Sequence, residues 1–548
     1  MRWASILNAL ASATAVLASH PGSPAQRVAK WNEIKASQTQ GRAAARDDAA
    51  QLMGRQSGDK FLTEKTQQFA VNGSLLPDIH FDIGESYAGL LPIGNSNDTD
   101  LFFWFFPSTN DAAKEEIVLW FTGGPGCSSM SALLEENGPI TWMPGTYGPL
   151  PNPWSWHHLS NVIWIDQPVG TGFSQGTPTY HNEFEVADQL RGFWKNFVDT
   201  FDMQNYKVYV TGESYGGLYV PYIAGGMLDQ NDTEYFDVAG MIVYDGVLGN
   251  VNGDVVTIPF VDFHHNLFPF NESFSDLIHE QHETCGYADY LEKYLVYPPA
   301  GQQPTDQPGY NDNQTDYLEG CAITYATWDA IALLNPCFNI YEVSEQCPLR
   351  YDPLGFAAGN EYSPPNAPTV YFNRTAVKEA LHVPVDIDWE ICTEGTFPYG
   401  DNSPPSSWVQ IPKVIDATKN VHLVHGRLDM VLYMNQTLLT IQNMTWGGEL
   451  GFQERPTEPF FVPYHETAEL GTAAGAGIAG TAHAERGLTY STLSLSGHEV
   501  PGYQPAAAYR QLEVVLGRID NLQSTLPFTT DTNNTAQPSL TDPGTGGN

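Results

Sequence analysis

The chain has 548 residues, of which 42% are hydrophobic and 12% aromatic, enough for a large packed core. It carries 24 Lys and Arg against 63 Asp and Glu, a formal net charge of −39 at pH 7. Such a surface argues against nucleic acids and anionic membranes as partners, and the acidic composition is compatible with work in an acidic medium.

The first 60 residues precede the globular part of the chain. Residues 1–18 are typical of a signal peptide, with Arg2 ahead of an apolar stretch and small residues before Ser19; the alternative is an Ala-rich tail. Residues 19–60 are interpreted as a leader or propeptide-like arm. No apolar run reaches the roughly 18 residues of a spanning helix, so no membrane segment is predicted.

Nine N-x-S/T sequons support entry into the secretory route and predict N-linked glycans. They begin at Asn72, Asn97, Asn231, Asn271, Asn313, Asn373, Asn435, Asn443 and Asn533. We therefore expect a secreted protein, with a vacuolar or lysosomal destination as the alternative.

Residues 61–525 are predicted to form one domain built from alternating strands and helices. Short apolar runs rich in β-branched and aromatic residues predict strands over 101–106, 117–121, 162–165, 206–210, 241–244, 421–424 and 488–495. Apolar residues from Val186 to Phe201 share one helical face, and 506–519 predicts a closing helix. This alternation predicts an α/β fold with a mostly parallel central sheet flanked by helices.

Three segments interrupt that pattern. Residues from about 250 to 370 hold four of the six cysteines and many Pro and Asn, which predicts a disulfide-stapled insertion over the active-site face. The Gly/Ala-rich stretch 471–484 predicts a flexible loop, and residues 526–548 a disordered tail. The cysteines show no metal-ligand spacing, and neither a metal nor an organic cofactor is expected.

A G-x-S-x-G pentapeptide, Gly212 to Gly216, lies between a predicted strand and a predicted helix. In that context the pattern indicates a nucleophile elbow, a tight turn that exposes the oxygen of Ser214 above the sheet. A serine nucleophile needs a histidine base and a carboxylate that orients the histidine, in the chain order Ser, acid, His. Asp429 follows one predicted strand, with Asp245 as its rival, and His498 alone among fifteen histidines lies between the last strand and the closing helix.

Five ordered blocks resemble the serine carboxypeptidases. The blocks are W-F-T-G-G-P-G-C-S-S at 120–129, N-P-W-S-W at 152–156, D-Q-P-V-G-T-G-F-S at 166–174, G-E-S-Y-G-G-L-Y-V-P at 212–221 and G-H-E-V-P at 497–501. The similarity runs from about Tyr87 to Leu516. It implies an α/β-hydrolase fold and an enzyme that releases C-terminal amino acids from peptides and proteins through Ser214, His498 and Asp429.

The resemblance also implies roles for residues that spacing does not reveal. Backbone N–H groups of Gly124 and Tyr215 would form the oxyanion hole. The substrate's free carboxylate would bind to Thr122, Glu136 and Glu213, and because clustered carboxyl groups cannot all ionise, peptide hydrolysis should favour acidic pH.

Two positions depart from the common pattern of the family. Thr122 replaces the usual asparagine, so carboxylate binding would be weaker or rearranged. Glu499 replaces a frequent methionine in the pocket for the leaving residue, which indicates either tolerance of basic C-terminal residues or a locally engaged glutamate.

The resemblance implies a Cys127–Cys392 disulfide. For the insertion we predict nested bonds, Cys285–Cys347 and Cys321–Cys337, although four cysteines allow three pairings. Two rival functions stay open at this point, an acyltransferase that uses the same machinery and a binding protein without catalysis.

Overall fold

A ten-stranded sheet forms the centre of the chain. The computed structural model describes residues 59–94, 99–113, 115–355, 369–465 and 475–530. The chain divides into two units, Met1–Lys60 with Asp78–Asp82, and Phe61–Pro77 with Ile83–Asn548; the second unit carries the sheet and the site.

The strands are β1 (Tyr87–Pro92), β2 (Asp100–Phe106), β3 (Glu116–Phe121), β4 (Ile140–Thr141), β5 (Leu150–Pro151), β6 (Asn161–Asp166), β7 (Lys207–Glu213), β8 (Asp237–Tyr244), β9 (Val421–Gly426), β10 (Thr445–Trp446), β11 (Glu449–Leu450), β12 (Glu458–Val462), β13 (Gly477–Glu485) and β14 (Leu488–Leu493). The helices are α1 (Met130–Glu135), α2 (Glu183–Phe201), α3 (Gly216–Leu228), α4 (Asp254–Phe263), α5 (Glu272–Thr284), α6 (Tyr287–Tyr294), α7 (Ile323–Leu334), α8 (Thr375–Ala380), α9 (Gln410–Thr418), α10 (Met434–Gln442), α11 (Val500–Tyr503) and α12 (Pro505–Val515).

The strand order in the sheet is β1-β2-β6-β3-β7-β8-β9-β14-β13-β12. Neighbours from β6 to β14 all pair in parallel, whereas the two strands at each edge pair antiparallel. The predicted α/β-hydrolase fold with a mostly parallel sheet is confirmed. Since β7, β8, β9 and β14 are consecutive and parallel, the residues that follow them gather at one edge of the sheet.

The central strands are buried because helices cover the sheet. Every residue of β3 and β6 is buried, which is why these strands are apolar without alternation. On one face, α2 presents the apolar residues predicted from its periodicity, and the ring of Phe197 lies 5.5 Å from those of Phe103 and Phe105. Helix α3, which starts beside the pentapeptide, packs on β7 and β8 and so anchors the elbow in the core.

The insertion contains helices α4 to α7 and a second apolar cluster that includes Val255, Phe260, Tyr287 and Ile323. Its predicted disulfides are wrong. Cys285 pairs with Cys321 and Cys337 pairs with Cys347, with Cα–Cα distances of 5.7 and 5.2 Å. Each bond closes a local loop, of 36 and 10 residues, because the end of α5 lies beside the residues that precede α7. The third bond joins Cys127 to Cys392.

Two segment boundaries differ from the sequence-based ones. Residues 477–484, predicted as loop, belong to β13, where backbone pairing with β12 and β14 outweighs a weak Gly/Ala preference. Residues 526–530, assigned to the tail, pack on the domain: the ring of Phe528 lies 4.9 Å from that of Trp154.

Several predictions concern residues outside the described ranges. These are the signal peptide 1–18, the arm up to residue 58, the sequons at Asn97 and Asn533, and the tail from 531. Among the helices that the structure does describe, none is long and apolar enough to cross a membrane.

Candidate active site

The pentapeptide forms a sharp turn between β7 and α3. Ser214 has φ +58°, a left-handed conformation that is strained for a residue with a side chain. Its backbone is fixed by hydrogen bonds from its own N–H to the Tyr244 carbonyl and from Val247 N–H to its carbonyl, both at 2.9 Å. A Cβ atom at Gly212 would lie 2.4 Å from the Phe121 carbonyl oxygen, so only glycine fits there. This geometry is that of a nucleophile elbow.

His498 and Asp429 contact each other at the same edge. His498 Nδ1 lies 2.7 Å from Asp429 Oδ2, and both side chains are buried. Asp429 Oδ1 accepts hydrogen bonds from the N–H groups of Val431 and Leu432 at 2.8 and 3.2 Å. These contacts fix the position of the Asp429 carboxylate. Because Nδ1 of His498 is engaged by Asp429, Nε2 is the imidazole nitrogen that can contact another group.

His498 Nε2 is buried and has no hydrogen-bond partner within the described ranges, and Ser214 makes no side-chain hydrogen bond there. In substrate-free sites this contact is often longer than in the reacting complex. The His498 backbone N–H donates to the Tyr341 carbonyl at 2.8 Å, and the Tyr341 ring lies edge-on to the imidazole. A loop of the insertion therefore helps to hold the histidine.

The rival acid, Asp245, lies in the same cluster. It follows β8, is fully buried, and offers an oxygen within 4.8 Å of ligand atoms of both Asp429 and His498. The imidazole contacts Asp429 and not Asp245. Asp245 accepts a hydrogen bond from Gly426 N–H at 2.8 Å and lies 3.3 Å from His425 Nε2.

The glycine turn after β3 lies against the elbow. A Cβ atom at Gly123 would be 2.4 Å from Tyr215 N and 2.7 Å from Ser214 Cβ. Gly124 is exposed and has φ +106°. Neither the Gly124 nor the Tyr215 N–H donates a hydrogen bond to the described part of the chain, so both donors are available to an oxyanion.

Glu136 and Glu213 form a buried pair beside the nucleophile. Burial raises the pKa of Glu136 well above its usual range, and the neighbouring Glu213 raises it further. Burial also raises the pKa of Glu213, to about 7, although a hydrogen bond from Glu136 partly opposes that shift. One of the two carboxyl groups therefore holds a proton in neutral solution.

Thr122 lies next to this pair across the strand ends, since Phe121 and Gly212 are partners in the β3–β7 register. Its hydroxyl accepts a hydrogen bond from Trp120 Nε1 at 3.0 Å. Because the oxygen is occupied as an acceptor, the hydroxyl proton can be donated to a ligand.

Glu499 lies on the wall of a cavity that sequence reasoning found only in part. The lining includes Glu135, Glu345, Arg350, Asp352, Glu499 and Tyr503. Burial raises the pKa of Glu499 to about 8, and the nearby Glu213 adds to the shift. Glu345, Arg350 and Asp352 belong to the insertion, and no sequence motif links them to the sheet edge.

The sequence is similar to those of known serine carboxypeptidases. A family model described as "Serine carboxypeptidase" matches residues 77–518. A "Probable serine carboxypeptidase" of Arthroderma benhamiae is 48% identical over 477 residues, which are 84% of this chain and 88% of the relative. "Serine-type carboxypeptidase F" of Aspergillus niger is 44% identical over 84% of this chain and 89% of the relative.

Among solved structures, the prohormone-processing carboxypeptidase Kex1(delta)p of Saccharomyces cerevisiae has a similar fold. Its TM-score is 0.64 at 22% identity, over 84% of this chain and 98% of that one. On the strength of the family match and the two fungal relatives, this chain belongs to the serine carboxypeptidase family and is a hydrolase of that class.

Proposed function

We propose that the enzyme removes C-terminal amino acids through an acyl-enzyme formed on Ser214. The His498–Asp429 hydrogen bond carries this proposal, because it leaves Nε2 as the nitrogen that can take the Ser214 proton. Ser214 Oγ attacks the carbonyl carbon of the last peptide bond while Nε2 accepts its proton. His498 then protonates the departing amino group, and water hydrolyses the acyl-enzyme by the reverse proton transfers.

The oxyanion of each tetrahedral intermediate would accept hydrogen bonds from the N–H groups of Gly124 and Tyr215. This role is supported by the absence of a hydrogen bond from either N–H group to the described part of the chain. Donors of this kind lower the barrier by about 3 kcal/mol each, because they are aimed before charge develops.

The pair Glu136 and Glu213, with Thr122, would recognise the free carboxylate of the substrate. A carboxylate accepts hydrogen bonds, so its partners must carry protons. Burial of the two glutamates supports donation below about pH 7, where Glu213 is neutral, and this favours hydrolysis of peptides in acidic solution.

The base must nevertheless be neutral to accept a proton. Burial lowers the pKa of His498, but Asp429, then Glu213 and Glu499, outweigh burial and bring it to about 9. Glu213 and Glu499 have pKa values of about 7 and 8 and become neutral as the solution is acidified. Their contribution to the pKa of His498 then disappears, so this pKa falls together with the pH, and less of the neutral imidazole is lost to protonation than with a fixed pKa of about 9.

The cavity at Glu499 would hold the side chain of the leaving residue. Four of its lining side chains are carboxyl groups, against the single guanidinium of Arg350. A Lys or Arg side chain would bring a cation to carboxyl groups whose ionisation burial otherwise opposes. We therefore propose that basic C-terminal residues are accepted along with apolar ones.

Passage through the secretory route is proposed on the disulfides and the sequons. All six cysteines are paired, as expected in an oxidising compartment. The sequon asparagines Asn72, Asn231, Asn271 and Asn313 are exposed, whereas Asn373, Asn435 and Asn443 are partly buried. Glycans are expected first at the exposed group, and mass spectrometry before and after enzymatic deglycosylation checks their occupancy.

The deciding experiment uses blocked dipeptides that end in Leu or Arg, each as free acid and as amide, from pH 3 to 8. The proposal expects preference for the free acid at low pH, similar rates for Leu and Arg, and loss of activity in Ser214→Ala. Covalent labelling of Ser214 without release from any peptide would instead indicate transfer of acyl groups to acceptors other than water.

A further inference from the structure

Asp245 is a buried carboxyl group that the proposed reaction does not use. It follows β8, between the strand that carries Ser214 and the strand that precedes Asp429. It is fully buried and has φ +43°, in the left-handed region that costs energy for a residue with a side chain. Strained, buried polar residues cluster at functional sites. The position of Asp245 between two proposed catalytic groups therefore indicates that it has a role there.

The two carboxyl oxygens of Asp245 have different surroundings. Oδ1 accepts the Gly426 N–H at 2.8 Å, with His425 Nε2 at 3.3 Å. Oδ2 is buried, and within the described ranges no N–H or O–H group donates a hydrogen bond to it. An ionised oxygen in that position would lack any donor, whereas a protonated one can itself donate.

His425 does not supply a positive charge to this cluster. Its Nε2 lies 2.7 Å from the Leu432 carbonyl oxygen, which can only accept, so Nε2 carries the proton. Its Nδ1 faces the Thr437 hydroxyl at 3.2 Å. Burial lowers the pKa of His425 to about 4, and the ring is neutral in the working range.

The remaining titratable groups around Asp245 are Asp429, Glu213, His498, Tyr244 and Tyr490. Only protonated His498 can be cationic, and its Nδ1 contacts Asp429. Two adjacent carboxyl groups that share at most one cation cannot both ionise in a buried site. Asp429 already accepts three hydrogen bonds, which favour its charged form, so the proton belongs on Asp245.

We propose that Asp245 is a positioning residue whose neutral carboxyl group donates a hydrogen bond to the Asp429 carboxylate. This inference rests on the proposed Ser214–His498–Asp429 mechanism. The donated bond would add a fourth hydrogen bond to Asp429, beside those from Val431 N–H, Leu432 N–H and His498 Nδ1. Burial, together with the neighbouring Asp429, raises the pKa of Asp245 well above its usual range, in agreement with a neutral group.

Two variants of the full chain test this role on a blocked amino-acid ester, which lacks the free carboxylate and so avoids the Glu136–Glu213 pair. Asp245→Asn keeps a neutral donor and an acceptor for Gly426 N–H. We expect kcat/KM within about threefold of the wild-type value. The acidic limb of the pH–rate profile should lie at the same pH as in the wild-type enzyme. Asp245→Ala removes the donor, and kcat should fall roughly ten- to hundred-fold with KM unchanged, as for other misplaced catalytic groups.

Two results would overturn the inference. If Asp245 were ionised, its charge would raise the pKa of His498, and Asp245→Asn would move the acidic limb down by about one pH unit. If Asp245→Ala matched wild type, the residue would position nothing. If Asp245→Ala fails to fold, the test rests on Asp245→Asn alone, through the pH at which the acidic limb of its pH–rate profile lies.

Ser214→Ala and Asp429→Ala separate this inference from the mechanism on which it rests. Retained hydrolysis in Ser214→Ala refutes the mechanism itself. Loss of activity in both of these variants together with an unaffected Asp245→Ala refutes only the positioning role. Labelling of Ser214 by a covalent serine probe reports in each Asp245 variant whether the elbow is intact.

Discussion

Replacement of Glu213 by glutamine tests how the enzyme recognises a free carboxylate. The wild-type side chain has a pKa of about 7 and is almost fully buried beside Glu136. Glutamine keeps a donor for the substrate and an oxygen that accepts the Glu136 proton, but it cannot ionise. Glu213→Gln therefore removes the ionisation of this side chain while it keeps the size and shape of the site.

The size of the effect follows from the titration. With a pKa of about 7, roughly ten in eleven wild-type molecules hold the Glu213 proton at pH 6 and one in eleven at pH 8. Since in the proposed site only the protonated form can donate to the substrate carboxylate, KM for a free-acid peptide should rise about tenfold between these pH values. In Glu213→Gln the rise should shrink to less than about twofold.

The assay is KM for a blocked dipeptide free acid at pH 6, 7 and 8, with an ester of the same acyl group as reference substrate. Glu342→Gln is the matched control, because burial raises the pKa of Glu342 to about 7 as well while its carboxylate accepts from Ser344. The control should keep the tenfold rise. A Glu213→Gln enzyme that still shows the wild-type rise would refute the reasoning.

Three further predictions concern the pocket, the insertion and the whole domain. Glu499→Met should lower the ratio of kcat/KM for Arg-ended over Leu-ended peptides at least tenfold, and an unchanged ratio would mean that Glu499 is engaged locally. Replacing Cys337 and Cys347 by serine frees a 10-residue loop that holds His498 through Tyr341; the chain-entropy model gives a loss of about 3 kcal/mol, read as a lower Tm. Glu213 and Glu342 have folded-state pKa values near 7, above the unfolded value of 4.5, so each contributes stability below pH 4.5 that is lost as pH rises to 7. At roughly 3 kcal/mol per group, the denaturant midpoint should drop between pH 4.5 and 7.5, and drop less in the double glutamine variant.

The central sheet was predictable because its strands are determined by local composition. Strands buried on both faces must be apolar throughout, and the runs at β2, β3 and β6 have that composition. Strand β13, which lies between β12 and β14, was missed, since Gly and Ala carry little strand preference and the strand is held by backbone pairing with both neighbours.

The disulfides of the insertion were mispredicted for a related reason. Pairing depends on which helix ends meet in space, and α5 and α7 are separated by α6 and by residues 295–322, which form neither a helix nor a strand. The same limit applied to the cavity at Glu499 that we propose for the leaving residue, where Glu345 and Asp352 of the insertion form part of the lining. Sequence motifs identified the residues at the strand ends, whereas only the three-dimensional structure shows which loop of the insertion packs over them.

In the proposed mechanism, an excess of buried carboxyl groups ties the pKa of the histidine base to the pH of the solution. Above about pH 8 the charges of Glu213 and Glu499 stabilise the imidazolium and hold the proton that the proposed reaction needs to move. Acidification neutralises Glu499 near pH 8 and Glu213 near pH 7, because burial has raised their pKa values, and the pKa of His498 falls as their charges disappear. The same protons turn Glu213 into a donor for the substrate carboxylate. In this proposal, substrate recognition and the basicity of His498 both depend on the protonation of these carboxyl groups: a fall in pH improves the first and lowers the pKa that governs the second.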